Sequence, residues 1–178
     1  MDKDIEDILF TQETITKRVR ELGSEISADY AGKSPLLIGV LKGSFIFMAD
    51  LMREISLPVS VDFLAASSYG DRAVTSGTVD LQKAVSADVT GRDVILVEDI
   101  LDTGVTLKYL KEYIGTLGPA SVKICVFLDK AERRQADVSG DYVGFVCPDK
   151  FVVGYGLDYS ERYRNLNYIG SLKPSVYS

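Results

Sequence analysis

The chain has 178 residues, one ordinary domain's worth, and its 46% hydrophobic and 26% charged content is a globular balance. It contains no histidine, which excludes Ser-His-Asp and Cys-His nucleophile systems and leaves base chemistry to Asp, Glu, Lys or Tyr; two cysteines without histidine also exclude a tetrahedral zinc site. The net charge of −6 denies it the basic footprint of a nucleic-acid binder, so any bound phosphate must be held by local donors and a metal.

The N-terminal stretch MDKDIEDILFTQETITKRV is too polar and acidic for a signal peptide. Residues 11–30 read as an amphipathic helix with Ile15, Val19, Leu22 and Ile26 on one stripe. Residues 36–41 are a short apolar run that ends at Lys42-Gly43-Ser44. Phe45, Met48, Met52 and Ile55 then recur at helical spacing, which predicts strand, glycine turn, helix. Residues 59–66 predict a second strand. Residues 67–78, SSYGDRAVTSGT, read as a polar loop, long enough for a compact domain to suggest a functional lid. Residues 93–100 hold a buried strand. Residues 105–117 carry Leu107, Leu110, Ile114 and Leu117 on one helical face, and Gly118-Pro119 stops the helix. Residues 122–128 predict the next strand, and 142–146 and 151–155 two short ones. No repeat, low-complexity tract or linker interrupts the pattern, and no run approaches 18 apolar residues, so no membrane span is expected. Cys125 and Cys147 sit inside apolar segments and read as core thiols of a reducing cytosol, which predicts a cytoplasmic protein.

Apolar strands alternating with amphipathic helices predict an α/β fold with a mostly parallel sheet, whose ligands lie beyond the carboxyl ends of the strands. The densest such segment is VILVEDILDTGVT, residues 94–106. Thr103, Gly104 and Thr106 can turn backbone N–H groups and hydroxyls toward a phosphate at a helix N-terminus, and Gly104 lets the backbone approach closely. Glu98 and Asp99 are vicinal acceptors suited to the vicinal diol of a sugar. Adjacent strand residues point to opposite faces, so for both to touch one ribose the chain must leave the sheet there. Asp102 lies between the diol acceptors and the phosphate turn.

The segment VILVEDILDTG resembles the phosphoribosyl-pyrophosphate loop of the type I phosphoribosyltransferases. GVLKGSFIFMADL, VDFLAASSYG, VEDILDTGVTL, FLDKAERR and PDKFVVGYGLDYSERYRNLNYIG, in that order from about residue 36 to residue 173, resemble more specifically the bacterial hypoxanthine-guanine phosphoribosyltransferases. The resemblance implies a type I phosphoribosyltransferase fold: one domain over residues 1–178, with a five-stranded, mostly parallel sheet flanked by helices. A small hood is expected mainly from about 148–178, with N-terminal residues as candidate additions. It implies transfer of a phosphoribosyl group from phosphoribosyl pyrophosphate to hypoxanthine or guanine, with Mg2+, giving IMP or GMP and pyrophosphate. It further implies a homodimer or homotetramer and neither a nucleic-acid nor a membrane partner.

Residue by residue, the same likeness implies Asp102 as general base. Lys42, Gly43, Glu98, Asp99, Asp102, Thr103, Gly104, Val105, Thr106 and Arg164 would hold phosphoribosyl pyrophosphate, with the Leu41–Lys42 peptide often cis. Lys130 would donate to the purine 6-oxo group, Phe151 would stack on the base, Val152 would read its edge through the backbone, and Asp158 would lie near the exocyclic position. Ser68 and Tyr69 would belong to the lid, and Glu98, Asp99 and Asp158 to the metal. Val105 stands where some relatives carry a basic residue, Asn165 where some carry an acid, and Gly43-Ser44 where others have Gly-Gly or Gly-Ala. Two other readings share the fold: a regulator that binds nucleotide or RNA without turnover, disfavoured by the −6 charge, and a phosphoribosyltransferase for xanthine or a pyrimidine.

Overall fold

The computed structural model describes residues 2–68 and 79–177. The chain opens with a strand, β1 (Ile5–Phe10), and an 18-residue helix, α1 (Gln12–Asp29), whose first turn is capped by Thr11 Oγ1 accepting from Thr14 N at 3.3 Å. The stripe Ile15, Val19, Leu22 and Ile26 is buried, as its spacing predicts. Next come β2 (Leu36–Leu41), α2 (Phe45–Glu54), β3 (Ser60–Ser68) and β4 (Val79–Lys83). They are followed by β5 (Asp93–Leu101), α3 (Val105–Thr116), β6 (Ser121–Asp129) and β7 (Tyr142–Val146). The chain closes with β8 (Val152–Val153), β9 (Ile169–Leu172) and a last short turn of helix, α4 (Pro174–Tyr177).

The α/β class holds, and the main sheet has six strands in the order β4-β3-β2-β5-β6-β7 rather than the expected five. β3, β2, β5, β6 and β7 are parallel, while β4 is an antiparallel edge on β3. β4 is absent from the sequence reading because VDLQK is short and mostly polar, as an edge strand with one open side can be. Of the expected lid, Ser68 is the last residue of β3; Tyr69 and the rest of the segment to 78 lie outside the described residues.

The alternation inside each strand feeds two cores. Leu37, Ile95, Val97, Cys125 and Phe127 pack under α1 and α2 on one face, and Leu36, Ile38, Val94, Leu96 and Ile124 pack under α3 on the other. That double burial is why the strands read as continuous apolar runs. Both cysteines are free and buried. A second, antiparallel sheet, β1-β9-β8, joins the two ends of the chain. Val152 and Ile169 of that sheet belong to the same core as Phe127, so the small sheet packs directly on the large one. Among the described residues, no helix is long and apolar enough to cross a membrane.

Candidate active site

The connections run outward in opposite directions from the centre of the sheet. From β2 the chain goes to β3 on one side, and from β5 to β6 and β7 on the other. The gap between the carboxyl ends of β2 and β5 is therefore the topological switch point, where α/β sheets open a crevice. The ladder shows the opening directly. β2 and β5 pair only from Leu36↔Val94 to Gly39↔Val97, whereas β5 stays paired with β6 as far as Leu101↔Asp129.

β5 does not leave the sheet at Glu98-Asp99, contrary to the condition set from sequence; it loses only its β2 neighbour. Two consecutive amides there are taken by the carboxylates themselves. Asp99 N donates to Glu98 Oε1 at 3.0 Å, and Ile100 N donates to Asp99 Oδ1 at 2.8 Å. Burial, and then the charge of Asp99, push the Glu98 carboxyl well above its ordinary pKa. Burial likewise raises Asp99 against the amide bonds that would lower it. The pair thus tends to hold a proton in the ligand-free protein.

The turn after β2 closes against this pair. The Leu41–Lys42 peptide is cis, and a Cβ built on Gly43 would fall 1.6 Å from Asp99 Oδ2, so only glycine fits there. Lys42 Nζ reaches across to Glu161 Oε1 at 3.2 Å, and burial of neither side chain is deep.

Beyond β5 the chain turns through Asp102 and Thr103 into Gly104, which sits at φ +81°, a left-handed conformation that L side chains rarely adopt. α3 starts there without a side-chain cap and with no acid in its first turn, so its leading amides around Val105 and Thr106 keep the positive end of the helix uncompensated. Thr103 Oγ1 makes one long contact with Val105 N at 3.4 Å. Asp102 is held from behind. Arg134 Nε donates to its carbonyl at 3.1 Å, Arg134 is paired with Asp129, and Arg133 Nη1 stands 3.7 Å from Asp102 Oδ2. Asp102 Oδ1 is buried without a hydrogen-bond partner. A carboxylate oxygen in that state is costly unless another molecule completes it.

Lys130, in the turn after β6, is only 6% exposed; its Nζ donates to Lys150 O at 2.6 Å and its amide to Leu101 O at 2.9 Å. This is a buried ammonium with donors to spare, not the surface lysine that composition alone would suggest. Next to Lys150 come Phe151 and Val152. Phe151 is 37% exposed, stacks on Tyr177 with centroids 4.9 Å apart, and meets Tyr159 edge-on at 5.3 Å. Val152 is buried and pairs with Ser171 across β9.

Arg164 is anchored twice, donating to Gly156 O at 2.8 Å and pairing with Asp158 Oδ1 at 2.9 Å. The third candidate metal ligand is therefore already engaged. Among the described residues no group of three or more Asp, Glu or Cys side chains is gathered to hold a metal ion. Glu98, Asp99 and Asp158 are thus not drawn together as an all-protein metal site. Their oxygen donors are of the kind a hard divalent cation prefers.

A family model for the phosphoribosyl transferase domain matches residues 6–160, most of the chain. The chain belongs to the phosphoribosyl transferase family. It is 51% identical over 177 residues to the hypoxanthine-guanine phosphoribosyltransferase of Bacillus subtilis, with 99% of this chain and 98% of that one covered. It is 49% identical over 178 residues to the bifunctional protein TilS/HprT of Listeria innocua, where it spans all of this chain and 28% of that one. The crystal structure of a hypoxanthine phosphoribosyltransferase from Staphylococcus aureus superposes with a TM-score of 0.96 at 46% identity, covering 100% of this chain and 97% of the other.

Sequence reading of this phosphoribosyl transferase overlooked Arg133, Arg134, Glu161, Tyr159 and Tyr177. The two arginines were visible in FLDKAERR and Glu161 in YSERYRN. Only the fold brings them to Asp102, Lys42 and Arg164.

Proposed function

We propose that this phosphoribosyl transferase moves the 5-phosphoribosyl group of phosphoribosyl pyrophosphate to hypoxanthine, and to guanine, in purine salvage. The products are IMP or GMP and pyrophosphate. The observation that carries the reading is Asp102: a carboxylate with one buried, unpartnered oxygen, three residues past the Glu98-Asp99 pair and three before the start of α3.

The α3 turn, Thr103 to Thr106, takes the 5′ phosphate on its amides and hydroxyls. Glu98 and Asp99 accept from the ribose diol. Lys42, the Gly43 backbone and Arg164 receive the diphosphate. Lys130 offers only donors, so it suits a 6-oxo group and rejects the 6-amino group of adenine. The Val152 carbonyl suits an N1–H or 2-amino donor and disfavours xanthine, whose 2-oxo group is an acceptor. Phe151 supplies the stacking face. When the purine N9 bonds to C1′ and the C1′–oxygen bond to diphosphate breaks, Asp102 Oδ1 accepts or relays the proton the base must shed. Asp158, Glu98 and Asp99 would be the protein neighbours of magnesium, which would supply neutralisation of the leaving group. The lid expected at Ser68 and Tyr69 excludes water from C1′.

The same reading makes the protein a cytoplasmic homodimer or homotetramer. Val146, 74% exposed, and the exposed Phe45 and Val61 are apolar side chains that a partner subunit would cover.

The deciding experiment is an assay of purified protein with phosphoribosyl pyrophosphate, magnesium and a panel of hypoxanthine, guanine, xanthine, adenine and uracil. Turnover of the first two and not of the others is the expected result. Turnover confined to xanthine or uracil, or none at all, rejects the assignment.

A further inference from the structure

Glu161 sits where the anion belongs. One oxygen, Oε1, lies 3.2 Å from Lys42 Nζ and 3.4 Å from Arg164 Nη2, and so bridges two cations from distant parts of the chain. Lys42 belongs to the turn after β2, and Arg164 to the loop between β8 and β9. We propose that Glu161 is a stand-in ligand. It neutralises the diphosphate-binding cations while the site is empty and is displaced each time diphosphate enters, which weakens pyrophosphate binding and speeds its release. The proposal deepens the function given above and rests on Lys42 and Arg164 being the diphosphate ligands.

The geometry separates a fixed backbone from a movable side chain. Glu161 N donates to Asp158 Oδ2 at 2.8 Å, and Tyr159 and Arg162 bridge across the turn. Ser160 and Glu161 are held at φ +51° and +59°, a conformation that a non-glycine residue keeps only where surrounding contacts impose it. The carboxylate, by contrast, is exposed: the Glu161 side chain is 66% and the Lys42 side chain 68% accessible. Contacts in that setting are weak and exchangeable, so a diphosphate with several charges outcompetes a single carboxylate. A cleft of about 520 Å³ lined by Glu161, Arg162, Tyr163, Arg164, Asn165 and Asp4 gives the displaced side chain room. Arg164 does not follow it, because Gly156 O and Asp158 hold the guanidinium in place. Its Nε is buried without a partner.

Calorimetric titration of the whole protein with inorganic pyrophosphate and magnesium tests this. E161Q removes the charge at constant length. E161D keeps the charge, tolerates the left-handed backbone better than most residues, and withdraws the oxygen from both cations. Both variants should bind pyrophosphate about two- to fivefold tighter than wild type, the scale of exposed ion pairs, with a matching fall in KM for phosphoribosyl pyrophosphate. Unchanged or weaker binding by E161Q overturns the proposal. So does tightening by E161Q alone, which would mean that general charge rather than contact is responsible. R164A serves as the reference. If it binds pyrophosphate like wild type, the assignment of the diphosphate site has failed, and the stand-in fails with it. If R164A loses binding while E161Q binds no tighter, the stand-in alone is wrong.

Discussion

Asp102 and Gly43 show how single positions are constrained by what lies against them. Asp102 keeps its backbone tied to Arg134 and its Oδ1 unpartnered, so replacing the carboxylate should disturb chemistry more than folding. D102N is expected to retain nucleotide affinity, measured by fluorescence titration with IMP, and to lose about 10²–10⁴-fold in kcat, the usual contribution of a positioned base. Wild-type turnover by D102N would remove Asp102 from that role. Gly43 is constrained sterically, since a methyl there meets Asp99 Oδ2 at 1.6 Å. G43A should destabilise by about 1–3 kcal/mol in urea unfolding, as an overpacked site does. Adding D99A should recover most of that loss, because the obstructing carboxylate is gone. A G43A protein as stable as wild type would place the turn elsewhere.

At the scale of elements, β5 is a strand whose last residues serve two masters. Its β6 side continues the ladder to Leu101, while its β2 side ends at Val97, and the Asp99 and Ile100 amides donate to the carboxylates of Glu98 and Asp99. Burial and the neighbouring charge raise Glu98, so the folded protein holds a proton there that the unfolded chain releases at ordinary glutamate pH. For an acid with a raised folded pKa, stability falls as pH rises from the ordinary value through the raised one. E98Q should therefore match wild type in acid and gain on it toward neutral pH, with Tm higher by about 2–4 °C. The same variant should raise KM for phosphoribosyl pyrophosphate, which kinetics will show. A Tm difference that shrinks as pH rises would contradict the buried pair.

For the whole molecule, the two chain ends are joined in one small sheet. β1 pairs with β9 from Ile5↔Leu172 to Phe10↔Ile169, and β9 pairs with β8, which follows Phe151 directly. Removing residues 2–10 leaves a two-stranded remnant, and such pairs are marginal in water. The truncated protein should unfold at lower temperature by calorimetry. It should also show a raised KM for hypoxanthine, since β8 carries Val152. Unaltered kinetics would mean that the small sheet does not shape the base site.

The sequence by itself determined the α/β class, the helical stripe of α1 and the strand-turn-helix units at 36–55 and 93–117, because each is written in local periodicity. The stripe Ile15, Val19, Leu22 and Ile26 needs no partner to be recognised. β1, β4 and β9 escaped: IEDILF and VDLQK are short and mixed, and Ile169–Leu172 has four residues, so their strand character comes from the neighbours they pair with. The tertiary structure alone decided that Lys130 is buried, that Gly43 abuts Asp99, that the β2–β5 ladder stops at Val97, and that Glu161 reaches Lys42 across 119 positions of chain. Those facts depend on distances between residues far apart in sequence, which no local pattern encodes.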